Sequence, residues 1–199
     1  MPAPSSRAFG RRRAALAGHA GDVASARALL DDPQPAVRAT ALGALRRLGA
    51  VEAADVAVAL ADPEPAVRRR ACQEAAGVAG VDLVPLLNDP DPGVVEVAAW
   101  ALGERGERAV DAVTALSHVA LTHADPLCRE AAVAALGSVG DDRGLPAILA
   151  AARDRPAVRR RAVIALAPFS GREVDAAVAA ALEDRDWQVR QAAEDLRDA

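Results

Sequence analysis

Apolar residues in the stretch Asp31 to Gly49, DDPQPAVRATALGALRRLG, recur at helical spacing: Val37, Ala41, Ala44, Leu45 and Leu48 fall on one face. Pro35 stands at the start, where a missing N–H costs nothing, and Gly49 supplies a stop. The pattern predicts a helix with a narrow buried stripe. Weaker copies of the same stretch continue to the C-terminus. Its Val37-Arg38 pair falls on Val67-Arg68, Val94-Val95, Cys128-Arg129, Val158-Arg159 and Val189-Arg190, in steps of 30, 27, 34, 30 and 31 residues. A period of this length is the mark of a solenoid, in which each copy buries its face against the next.

Each copy reads as a helix, a short turn and a second helix. The proline column holds Pro35, Pro65, Pro92, Pro126 and Pro156, and Trp187 breaks it. Just ahead of it, Asp91, Asp125 and Asp186 are good N-cap residues, whereas Gln34, Glu64 and Arg155 are poor ones. The buried face carries an invariant small residue at Ala41, Ala71, Ala98, Ala132, Ala162 and Ala193, which lets neighbouring helix pairs approach closely. Leu45, Leu102, Leu136 and Leu166 fill the remaining volume, with Ala75 and Arg197 departing from the pattern. First helices are predicted over 22–30, 53–60, 82–87, 109–121, 145–152 and 174–182. The short third one accounts for the 27-residue step and the long fourth one for the 34-residue step. A leading helix over 7–17 caps the array. With no linker in sight, residues 1–199 read as one array, 1–20 as the N-terminal cap and 21–199 as six repeats.

Composition narrows this to an all-helical protein. Hydrophobic residues make up 52% and charged residues 26%, enough for a buried core, while aromatics are 2% and tyrosine is absent. Strand-rich folds want the opposite palette. All 24 basic residues are arginine, which suggests a GC-rich bacterial source, and the net charge of −4 disfavours a dedicated nucleic-acid binder. Cys72 and Cys128, without metal-ligand spacing, read as reduced core residues. No apolar run is long enough to span a bilayer, and the Arg- and Ser-rich N-terminus lacks a secretory apolar region. The expected compartment is the cytoplasm.

The pattern D-P-x-P-x-V-R-x-x-A-x-x-A-L-x-x-L-G, read in Asp32 to Gly49 and in part at Asp62, Asp89 and Asp184, resembles the HEAT repeat. It is most similar to the short bacterial HEAT-like type first associated with phycobilin lyases. The resemblance implies a right-handed α-solenoid of about six two-helix repeats, with the second helices lining a concave side and serving mostly as a protein-binding scaffold. Val95 in the arginine column and Arg153 in the aspartate column depart from the family pattern.

Two sets of residues are candidates for a role. Arg38, Arg68, Arg129, Arg159 and Arg190 sit beside the buried valine column, where each guanidinium can reach an aspartate such as Asp32, Asp62 or Asp184 and the loop carbonyls between stacked repeats. The outward face of the second helices holds Arg69, Arg70, Gln73, Glu96, Trp100, Glu130, Arg160, Arg161 and Ile164. That stripe alternates in charge along the chain, which suits a protein or peptide of mixed charge better than a polyanion. Trp100 either anchors such a partner or is covered by the long fourth repeat. Trp187 and Phe169 are expected to pack at the C-terminal end, and the arginine triplets at 11–13, 68–70 and 159–161 spread too far around a helix to form one patch.

Catalytic constellations are scarce. His19, His118 and His123 lack a following Glu, and His118, His123 and Cys128 have no fourth ligand, so neither a metal site nor a catalytic residue nor a cofactor is expected. The leading expectation is a non-enzymatic interaction scaffold. Two alternatives stand beside it: a DNA-binding protein resembling the HEAT-like alkylpurine DNA glycosylases, and a lyase-like or cofactor-handling accessory protein.

Overall fold

The computed structural model describes residues 6–198. Among these, every regular element is helical. The chain divides into two compact units, Met1–Leu83 and Val84–Ala199.

The first unit begins with α1 (Ser6–Ala20) and α2 (Val23–Ala28), followed by α3 (Pro35–Arg47), α4 (Ala53–Leu60) and α5 (Pro65–Ala75). Helix α3 packs between α1 and α5, with α2 and α4 behind. Pro35 and Pro65 occupy the first turn of α3 and α5, and neither Gln34 nor Glu64 makes a side-chain cap. Gly49 carries φ +66°, the left-handed conformation that ends α3 and that a side chain would resist. Arg27 on α2 donates to the Ala50 carbonyl and to Glu52 and Asp55, tying the rear helices together.

The second unit alternates in the same way: α6 (Pro92–Arg105), α7 (Val113–Thr122), α8 (Pro126–Val139), α9 (Leu145–Ala151), α10 (Pro156–Ala165), α11 (Arg172–Leu182) and α12 (Trp187–Arg197). The second helices α6, α8, α10 and α12 pack side by side in that order. Asp91, Asp125 and Asp186 accept backbone N–H groups at the starts of α6, α8 and α12, while Arg155 makes no such cap for α10.

The buried columns explain the stacking. Ala41, Ala71, Ala98, Ala132, Ala162 and Ala193 are all completely buried, and the valine column with Cys128 is buried throughout. Small residues bring backbones close together: a Cβ on Gly137 of α8 would sit 2.7 Å from the Ala165 Cα on α10. Likewise a Cβ on Gly103 of α6 would lie 3.0 Å from the Ala135 Cα on α8. Two first helices differ from expectation. The segment 82–87 forms only a 3-10 turn, Val84–Asn88, since Pro85 and the shortness of the stretch leave no room for a propagating α-helix. The segment 109–121 is broken as well: a 3-10 stretch Gly106–Ala112 with non-helical backbone at Ala109 precedes α7.

Candidate interaction surface and the arginine ladder beneath it

The turns ahead of five of the six second helices share one construction, and only the turn before α10 departs from it. A polar side chain folds back onto a following backbone N–H: Asp32 accepts from Gln34, Asp62 from Glu64, Asp89 from Asp91 and Asp184 from Asp186, at 2.8 to 2.9 Å. At the fourth copy His123 does the same work, its Nδ1 accepting from the Asp125 N–H at 3.1 Å. Proline then enters at the first helical turn, except in α12, which begins with Trp187. The Asx-type turn thus sets the direction of the chain before the helix begins.

Arg38, Arg129 and Arg159 each read two successive turns. Arg38 donates from Nη1 to the Asp32 carbonyl in its own turn, and from Nε and Nη2 to both carboxylate oxygens of Asp62 in the following one, each at 2.7 Å. Arg129 repeats this with the His123 carbonyl and the Asp154 carboxylate, and Arg159 with the Asp154 carbonyl and the Asp184 carboxylate. Arg68 donates to the Asp62 and Pro63 carbonyls, and Arg190 to that of Asp184. Planar, two-pronged pairing of this kind is the strong form of the arginine–carboxylate contact. The hydrogen bonds from Arg129 and Arg159 hold Asp154 and Asp184 below the ordinary carboxylate range. At Asp62 burial pushes the other way, yet the Arg38 bond and the Glu64 amide leave it lowered. All three arginines are held correspondingly more firmly charged.

Sequence reasoning did not find Asp154. The turn of the fifth copy is one residue shorter, Asp154-Arg155-Pro156 in place of Asp-x-x-Pro, so the carboxylate stands one place after Arg153. The departures at the third junction match each other: Val95 replaces the arginine and His123 the next aspartate, so neither charge is left to be paired.

The outward face of the second helices continues from the residues that follow each ladder arginine in sequence. In the second unit Glu96 and Trp100 share one face of α6, one turn apart, and Trp100 is 45% exposed. Glu130 on α8 and Arg161 on α10 approach to 3.5 Å, both half-buried. Arg160 and Ile164 of α10 line a hollow of about 360 Å³ with Trp187, Gln191, Asp195 and Leu196 of α12. Trp187 is 64% exposed, which corrects the expectation that it packs at the C-terminal end; its place at the first turn of α12 turns the ring outward. Phe169 is buried.

In the first unit the same register positions form a different hollow, of about 530 Å³. Ala36, Ala39, Thr40, Gly43 and Arg47 of α3 run along it at helical spacing, flanked by Arg11 and Ala15 of α1 and by Ala66, Arg69, Arg70 and Gln73 of α5. Arg69 and Gln73 are exposed, but Arg70 is only half so. Arg70 lies over Gly43, where a side chain would collide with its guanidinium, and pairs with Glu74 at 2.7 Å. Glu74 is buried, with Arg46 at 3.6 Å on its other side, and its burial raises the carboxyl above the usual range despite both arginines. Arg11 and Arg47 were absent from the sequence-based stripe. Arg47 was legible as the position seven residues beyond Thr40, two helical turns along the same face.

Groups that could carry chemistry are dispersed. Cys128 is buried, donates to the Pro92 carbonyl at 3.1 Å, and has its thiol pushed up to about 11 by burial. His118 meets Thr122, and His123 is the turn acceptor described above. Among the described residues no three His, Cys, Asp or Glu side chains converge to hold a metal ion. No helix among them is long and apolar enough to cross a membrane.

Paired helices that recur in register, nest on small residues and are linked by bidentate arginine–aspartate contacts define an α-solenoid of two-helix repeats. Known families bear this out. The family of HEAT repeats matches residues 56–137 and 81–167, more than half of the sequence, and the chain belongs to that family. Among solved structures, YibA of Escherichia coli is similar at 18% identity over 97% of this chain and 74% of its own, with a TM-score of 0.67. An engineered protein is similar at 20% identity, covering 89% of this chain and 97% of its own, with a TM-score of 0.64. A designed armadillo repeat protein in complex with the peptide (KR)4 is similar at 16% identity, covering 98% and 99%, with a TM-score of 0.61. The search of curated proteins gave no match. At these identities the structural likeness speaks to the fold.

Proposed function

We propose that this chain is a non-enzymatic scaffold that offers the outward face of its second helices to a protein or peptide partner. Residues 1–20 act as the leading cap and 21–199 as six repeats of one array. The observation that carries the reading is Trp100: a large ring, 45% exposed, on a helix whose aliphatic neighbours Val94, Val95 and Leu102 are all buried. Tryptophan in such a place is a strong anchor, because it covers much apolar area while losing little conformational entropy. Glu96, Glu130, Arg160 and Arg161 would orient the partner around it, with Ile164 adding apolar contact. The repeat fold supports the same reading, and the similar designed armadillo protein holds a peptide.

Capture of a partner by the full chain, followed by titration of that partner against Trp100→Ala, tests the proposal. A loss of about 2 kcal/mol or more is expected, roughly thirtyfold in affinity. Unchanged affinity would remove Trp100 from the interface. A parallel titration with duplex DNA across a salt series separates the scaffold from a nucleic-acid binder, for which log affinity would fall steeply with log salt.

A further inference from the structure

The hollow of the first unit is lined by arginines and small residues, and none of its described lining residues carries a carboxylate. We infer that this hollow is a docking site for an acidic peptide segment, an inference that rests on the scaffold reading and fixes the charge of its partner.

Three features carry it. The first is the sign of the charge. Arg11, Arg47 and Arg69 are exposed around the rim, Arg70 reaches it from the side, and the carboxylate that pairs with Arg70 lies buried beneath. Three exposed like charges around one concavity, beside an Arg70 offset by Glu74, raise the local concentration of an anionic ligand. The second is the floor, where Ala36 and Ala39 of α3 and Ala66 of α5 leave room for an extended backbone, while the Arg70 guanidinium laid over Gly43 meets its carboxylates. Thr40 and Gln73 add hydrogen-bonding side chains along it. The third is pre-placement. A Cβ at Gly18 would come within 3.0 Å of the Arg47 Nη1, and one at Gly43 would collide with Arg70, so two guanidinium groups rest on glycines and Arg70 is braced by Glu74. Side chains already held in place lose less entropy on binding.

A peptide is favoured over nucleic acid because none of the described lining residues is an aromatic on which a base could stack. Its arginines also surround one concavity instead of forming the continuous track that a phosphate backbone follows.

The test uses the full chain and a fluorescent short peptide of alternating Asp and Glu, read by anisotropy, with a peptide of alternating Lys and Arg as the opposite-charge control. The acidic peptide is expected to bind and the basic one not. In the variant Arg47→Glu, Arg69→Glu, both changes being at exposed positions, affinity should fall about tenfold or more with the circular dichroism spectrum unchanged. Arg172→Glu, at an exposed position at the start of α11 in the second unit, should leave it within about twofold. Absent binding of the acidic peptide, equal binding of the basic peptide, or an equal loss in Arg172→Glu would each overturn the assignment. So would displacement by oligothymidylate of equal charge at lower concentration, which would point to nucleic acid. If the acidic peptide fails while Trp100-dependent capture persists, the hollow is misassigned and the scaffold reading stands; if no partner of any kind is captured, the scaffold reading itself falls.

Discussion

Asp154 accepts both prongs of Arg129 even though it stands one place later than the other ladder carboxylates, and this shows what the turn demands: a carboxylate within reach of the preceding arginine, whatever its count from proline. The consequence is energetic. Arg159 is buried and Asp184 half-buried, so removing one partner leaves the other poorly compensated. Arg159→Ala should cost about 3 kcal/mol in chemical denaturation, and the double variant with Asp184→Ala should cost clearly less than the two singles combined. The same carboxylates govern acid stability. Asp62, Asp154 and Asp184 bind protons less readily folded than unfolded, so their contribution is fully present above the ordinary carboxylate value of about 4 and is lost as pH falls below it. Melting curves from neutral to strongly acid pH should show the chain weakening in that lower window. In Arg159→Gln, where Asp184 loses the first of the contacts that lower it, part of that acid dependence should disappear.

Helices here meet on glycine and alanine, and of the glycine contacts described the tightest against backbone is Gly137 of α8 on α10. Replacing Gly137 with Ala sets two effects against each other. Alanine favours the helix by about 1 kcal/mol, whereas a Cβ 2.7 Å from the Ala165 Cα collides with backbone that cannot swing aside as a side chain would. The collision should win, giving a net loss of about 1–3 kcal/mol in the denaturation midpoint, with α8 and α10 forced apart. Second helices were legible in the sequence because proline, valine and alanine recur there in fixed register, and Pro35, Pro65, Pro92, Pro126 and Pro156 do begin α3, α5, α6, α8 and α10. First helices were less so. Residues 82–87 carry an apolar pattern but are too short to propagate an α-helix, and nothing in the apolar spacing of 109–121 marked the break at Ala109.

Along the whole chain the second helices carry one register of outward positions, and each unit fills it with its own chemistry: arginine over alanine in the first, tryptophan, isoleucine and paired charges in the second. The sequence displayed Arg69, Arg70, Glu96 and Trp100 on that face through helical spacing alone. It did not display Arg11, whose place depends on how α1 lies along α3, nor the outward turn of Trp187, which a proline-column position disguised. Since Trp100 and Trp187 are the only tryptophans, Trp187→Phe leaves Trp100 as a single fluorescent reporter. The most direct measurement is the emission of that variant with and without a captured partner. Alone it should emit at the long wavelengths of a water-exposed indole, and partner binding should shift the emission to the blue. An emission maximum that stays in place while the partner is bound would contradict a recognition surface built around Trp100.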